Sequence, residues 1–208
     1  MAAAERTDHA LERLIFFSDA VFAIAITLLI IDIRPPHLAP DANTAEHLQA
    51  LADLIPNFLA FAISFAVIGL FWMGHHRAFA LASHYAPRLL GWNLGLLGVM
   101  VFMPFVTGYL SANSTALLPT SLYCATMLVA GLFNLKVNFA VTGSPIVSQH
   151  ASADQIAHVR RRGISVALGA ATAFALSFLG PHAGLMGLFS IVIWRRILER
   201  IGPYRVRR

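Results

Sequence analysis

From Ala20 to Ile31 the chain carries one hydroxyl, Thr27, and no charge, and comparable apolar runs recur five more times before the C-terminus. A hydrocarbon core about 30 Å thick takes roughly 20 helical residues to cross, and backbone amides in lipid must bond within their own segment. Such a chain is confined to an all-α integral membrane fold. Six spans can be drawn, at 16–33, 54–73, 89–109, 116–137, 163–179 and 184–197, making residues 1–208 one six-helix module. Pro35 and Pro36 stop the first span, because proline lacks an amide donor and restricts its predecessor. Pro56 sits in the first turn of the second, Pro104 predicts a kink inside the third, and Pro181 punctuates the turn between the last two.

Only 12% of residues are charged, against about 25% in soluble domains. The formal charge of +5 raises nucleic acid as a partner, but the basic residues sit at the ends of apolar runs, which argues against it. With the N-terminus inside, the cytoplasmic segments hold Arg6, Arg13, Arg77, Arg88, Lys136, Arg160, Arg161, Arg162, Arg195, Arg196, Arg200, Arg205, Arg207 and Arg208, and only Arg34 falls outside. The positive-inside rule then places both termini in the cytoplasm. The outer loop carries Asp41, Glu46 and Asp53 instead. Glu5, Asp8 and Glu12 spoil a basic signal-peptide start, so the first run is read as retained. Residues 142–162 read as a polar loop ending in three arginines, an anchor that touches anionic lipid. A lone Cys124 excludes an intrachain disulfide, and no spacing suggests zinc.

The first span opens on Arg13-x-x-x-Phe17-Ser18-Asp19. Charges at a membrane boundary need partners. This stretch resembles the RxxxFSD signature of the transmembrane protein 175 family, lysosomal and bacterial potassium channels without the usual potassium filter. Trp72-x-x-His75-x-x-x-Phe79, and Asn93-Leu94-x-x-Leu97 running to Met103-Pro104-Phe105-x-Thr107, are similar to the same family's pattern. The likeness covers roughly the first half residue by residue and the second half by hydropathy alone.

The resemblance implies a potassium-preferring cation channel that assembles as a homotetramer in a bacterial plasma membrane. It implies no cofactor, with potassium as the permeant ion and membrane lipid as the surroundings. It also implies that the first helix lines a central pore, with Ile24 at the constriction, Leu28 and Ile31 at the next apolar positions, and Thr27 supplying a hydroxyl. Helical spacing supports such a stripe independently: Ile24, Leu28 and Ile31 share a face, continued inward by Phe17 and either Ala20 or Val21. A ring of isoleucines makes a hydrophobic constriction that gates by dewetting, unlike a carbonyl cage. Asp32 is the expected outer mouth, where acidic residues concentrate cations.

Arg13, Phe17, Ser18, Asp19, Trp72, His75 and Asn93 are read as a scaffold network that fixes the rotation of the first helix. Asp19 has Arg13, His75, His76 and the Trp72 indole as candidate partners. Thr107-Gly108-Tyr109 shares residues with a carbonyl filter, yet it ends a span and reads as an outer cap with an interfacial aromatic. His75, His76 and His84 lack metal-ligand spacing on one face. Asn57, Asn93, Asn134 and Asn138 read as interhelical packing amides. The leading alternative function is a secondary transporter of a small cation or solute, which calls for internal repeats and midplane polar sites that are not evident. An enzyme would need a positioned nucleophile or acid–base pair, for which only Asp19 and the nearby histidines are available.

Overall fold

The computed structural model describes residues 2–201, with side-chain surroundings from residue 9 onward; Arg205, Arg207 and Arg208 lie outside the described residues. Its helices are α1 (Ala2–Leu28), α2 (Thr44–Ala52), α3 (Ile55–Phe79), α4 (Pro87–Ala112), α5 (Leu117–Val141), α6 (Ala153–Ser177), α7 (Pro181–Gly187) and α8 (Ser190–Arg200). The fold is all-α. Three of these, α3, α4 and α5, are long and apolar enough throughout to cross a membrane by length and composition. In α1 and α6 a charged N-terminal portion precedes the apolar part.

The helix limits differ from the expected spans in four places. First, α1 ends at Leu28 rather than Ile33. Tightened turns follow, with the Ile31 amide bonding Leu28 O and the Ile33 amide bonding Ile30 O, as the chain prepares for Pro35 and Pro36. Second, the connection between the first two expected spans contains α2, opened by a capping box in which Asn43 and Glu46 satisfy each other's backbone amides. Third, α6 starts at Ala153, where Ser152 and Gln155 form a second capping box, so the three arginines 160–162 belong to a helix rather than a loop.

Fourth, the expected span 184–197 is two helices interrupted at Leu188 and Phe189. Gly180 begins this segment at φ +147, a conformation that side chains rarely adopt. A Cβ on Gly187 would stand 2.6 Å from Ala173 Cα, so α7 presses its backbone onto α6. Close approach replaces helix length there.

The core centres on α4. Leu89, Leu96, Met100, Met103 and Val106 are fully buried among Phe22 of α1, Ile68 of α3 and Tyr123 of α5. α4 continues through the buried Pro104 to Ala112. In lipid no hydrophobic transfer drives helices together, so fit and interhelical hydrogen bonds carry the packing. At the opposite end from α2, the α3–α4 turn is tied to the α5–α6 connection: the Ser148 amide bonds Leu81 O at 2.8 Å and the Ser83 amide bonds Ile146 O at 2.9 Å. Arg88 reinforces this with a 2.8 Å bond to Ser144 O.

Candidate functional site

α1 has two faces of opposite fate. Leu11, Leu14, Ser18, Phe22, Ala25 and Leu29 are buried against the bundle, in steps of three and four that mark one helical face. The other face is left open among the described residues. Phe17, Ala20, Ile24, Thr27, Leu28 and Ile31 are exposed, Ile24 by 55% and Ile31 by 68%. Phe17, Ile24 and Ile31 are spaced by sevens, which an α-helix holds to within about 20° per step. Val21 is packed against the core, so Ala20 continues the stripe inward.

Thr27 donates its hydroxyl proton to Ile24 O at 2.9 Å. With its donor spent inside the helix, the exposed oxygen presents only lone pairs outward. That is the polarity a cation accepts. The apolar side chains one turn to either side offer nothing that binds an ion, so this face combines an apolar constriction with one oxygen.

A hydrogen-bonded chain fixes the rotation of α1. Asn93 of α4 stands between two helices: its Nδ2 donates to Ser18 Oγ at 2.8 Å, and its Oδ1 lies 2.8 Å from His75 Nε2. Ser18 Oγ in turn donates to Leu14 O at 2.7 Å. All donors and acceptors agree if His75 carries its proton on Nε2, giving His75 to Asn93 to Ser18 to Leu14 as one directed line. Ser18, His75 and Asn93 are buried. The His75 ring is also held between Phe22, at 5.5 Å, and Phe79, stacked at 4.1 Å. A buried polar line of this kind permits one register, because any rotation of α1 would strand its donors.

The remaining signature residues lie around this line. Asp19 accepts from the Trp72 indole at 2.8 Å, which selects one of its four candidate partners. His76 is exposed with its ring 6.0 Å from Trp72, and His84 is exposed beside Ser83 Oγ at 2.8 Å. Arg13 is exposed and pairs with no acidic residue among the described residues. Phe17 is 52% exposed and belongs to the unpartnered face rather than to the network. Both differences have one cause: residues 13 and 17 are four apart and fall opposite the buried row.

Asp32 also departs from its expected place. Once α1 unwinds at Leu28, its carboxylate turns onto α4 and lies 3.0 Å from where a Cβ on Gly108 would stand. A small crevice there is shared with Asn57, Thr107 and Ser111. It faces the side of its own bundle, whereas Ile31 keeps the exposed face. Thr107-Gly108-Tyr109 lies within the last turns of α4, and Thr107 is buried rather than capping. Its hydroxyl lies 2.8 Å from Ser64 Oγ and from Met103 O, and Ser64 Oγ lies 3.2 Å from Tyr123 OH. This link between α3, α4 and α5 went unread in the sequence, since isolated hydroxyls in apolar runs carry no spacing signal. Among the described residues no cluster of histidine, cysteine and acidic side chains could hold a metal.

Comparison with known proteins bears on the same region. The family model described as "Endosomal/lysosomal potassium channel TMEM175" matches residues 13–104, the stretch that holds both the exposed stripe and its anchoring line. A potassium channel of Chamaesiphon minutus is 35% identical, over 86% of this chain and 89% of its own. The human endosomal/lysosomal proton channel TMEM175 is 40% identical over 38% of this chain, which corresponds to 17% of that protein. The crystal structure of a lysosomal potassium-selective channel TMEM175 homolog from Chamaesiphon minutus superposes with a TM-score of 0.77 at 28% identity, covering 91% of this chain and 97% of that one. The chain therefore belongs to the TMEM175 family.

Proposed function

We propose that the chain conducts cations, potassium by preference, as a homotetramer in which four copies of α1 turn their exposed faces to a common axis. The observation that carries this reading is the division of α1: one face is locked into the bundle by the Ser18–Asn93–His75 line, while Ile24, Thr27, Leu28 and Ile31 are left exposed among the described residues. A cyclic assembly supplies the missing partners and closes on itself. Four Ile24 side chains then form an apolar ring that conducts when it widens and wets, with the Thr27 oxygens one turn beyond it. No resident cofactor takes part.

Potassium is favoured over protons as the permeant ion because the relative covering most of this chain is named a potassium channel, whereas the relatives named proton channels match over smaller shares. Charge distribution supports a bacterial plasma-membrane orientation with both termini cytoplasmic. Purified protein in liposomes loaded with potassium tests this. Native protein should release potassium faster than sodium, and Ile24→Asn should raise flux or weaken selectivity. No native flux, or indifference to the substitution at Ile24, contradicts the reading, and uptake stoichiometrically coupled to a second solute would make the protein a transporter.

A further inference from the structure

At the end of the bundle opposite α2, a cavity of about 210 Å³ opens between the start of α6 and the end of α8, lined by Asp154, His158, Arg161, Arg162, Arg195 and Glu199. The guanidiniums there are not equivalent. Arg160, next to Arg161 in sequence, is committed to structure, donating from Nε to Thr142 Oγ1 and from NH2 to Thr142 O, both at 2.8 Å. Arg161 instead has a buried Nε with no hydrogen-bond partner among the described residues. Arg195 gives its Nε to Glu199 at 2.9 Å, which fixes the guanidinium plane while its terminal nitrogens stay available.

Charge is uneven as well. Three arginines line the cavity against the carboxylates of Asp154 and Glu199, and Arg77 at the end of α3 adds to the field. Burial, with Arg162, Arg195 and Arg77 nearby, pushes His158 below its ordinary value, and Arg162 is lowered by burial and by Arg77 and Arg195. Both shifts reflect burial and crowded positive charge in the cavity. Planar forks arranged around a concave space match the oxygens of phosphate in pairs. The volume lies below the roughly 300 Å³ where drug-sized pockets begin, which suits a headgroup. α8 also exposes Val192, Ile193 and Ile197.

We infer that this cavity binds a phosphate monoester, held by Arg161, Arg162 and Arg195, whether the phosphate is carried by a lipid headgroup or by a soluble molecule. The site is independent of the ion path and does not require that the protein conduct.

Thermal melting and native mass spectrometry of the purified protein test it, with inorganic phosphate and glycerol 3-phosphate as soluble probes and phosphatidic acid against phosphatidylcholine in nanodiscs as the lipid arm, at matched ionic strength. Native protein should be stabilised by, and retain, a phosphate-bearing probe. Retention of phosphatidic acid alone assigns the phosphate to lipid, and response to the soluble probes assigns it to a free ligand. Arg161→Gln combined with Arg195→Gln should weaken retention at least about tenfold, equivalent to about 1.4 kcal/mol. Arg161→Lys, which keeps the charge and the fold but loses the fork, should weaken it several-fold. Arg196→Gln, on α8 with Arg195 but outside the cavity, should leave it unchanged. No binding of any probe, or equal loss in Arg196→Gln, overturns the inference, as does undiminished binding in Arg161→Lys and the double variant.

Discussion

Asn93→Ala removes the middle of the line that orients α1. Two bonds are lost, at 2.8 Å to Ser18 and 2.8 Å to His75. Interhelical hydrogen bonds in membranes average about 0.6 kcal/mol and reach about 1.7 kcal/mol, so the pair contributes roughly 1–3 kcal/mol. The buried His75 N–H is left with no acceptor, and an unsatisfied buried donor costs about 1–3 kcal/mol by itself. The expected loss therefore lies toward the top of that range, about 2–3 kcal/mol. Ser18→Ala breaks one interhelical bond and should cost less. Because Ser18 and Asn93 touch, the double variant should lose less than the sum of the singles, with a coupling of about 0.6–1.7 kcal/mol. Asn57→Ala, at the other end of the bundle where Asn57 donates to Ser111 at 3.2 Å, should add to Asn93→Ala without coupling. Equilibrium unfolding in mixed micelles measures the native protein and all five variants, including both doubles, at one protein concentration because assembly shifts apparent stability. Strict additivity of Ser18→Ala and Asn93→Ala, or a cost below about 0.5 kcal/mol for Asn93→Ala, would refute the argument that this line fixes the rotation of α1.

Two further outcomes follow from the packing and the charges. Gly187→Ala places a Cβ 2.6 Å from Ala173 Cα, which backbone cannot yield cheaply, and should cost about 1–3 kcal/mol in the same unfolding assay; Gly131→Ala, at 3.2 Å from Ala167 Cα, should cost less, and the reverse order would contradict the close α6–α7 seam. His158 is lowered from 6.5 by burial and by Arg162, Arg195 and Arg77, against Glu199. The unfolded chain therefore takes up this proton at higher pH than the folded one, so the contribution of His158 to stability is complete above about 6.5, where it is flat, and is lost as pH drops below that value. Melting temperature against pH should show that slope in native protein and a flatter one in His158→Gln, and identical slopes would contradict it.

The apolar runs made the helices legible, because lipid leaves the backbone no alternative. Their ends were less so. Residues 29–31 are as apolar as those before them, and it is the approach to Pro35 and Pro36 that turns them out of α1. The Asn-x-x-Glu at 43–46 and Ser-x-x-Gln at 152–155 are capping-box signals in the sequence, and they locate α2 and the true start of α6. The break in the last span is set by Gly184 and Gly187 meeting Ser177, Thr120 and Ala173, a tertiary fit that hydropathy does not encode. At the candidate site, spacing by threes and fours distinguished the two faces of α1, and the family pattern grouped Ser18, His75 and Asn93 in one network without saying which pairs would bond. Spacing placed Phe17 on the open stripe even as the family pattern assigned it to the network, whereas the turn of Asp32 onto α4 was not legible, since it depends on how neighbouring helices pack.

Cysteine accessibility along α1 tests the central claim most directly. In a Cys124→Ala background, which removes the buried native thiol, single cysteines at positions 22, 24, 25, 27, 28, 29 and 31 are exposed to a charged thiol reagent while potassium flux from proteoliposomes is followed. Block of flux at Ile24→Cys, Thr27→Cys, Leu28→Cys and Ile31→Cys, with none at Phe22→Cys, Ala25→Cys and Leu29→Cys, is the predicted pattern. Block at the buried row, or flux indifferent to all seven, would contradict an ion path along the exposed face of α1.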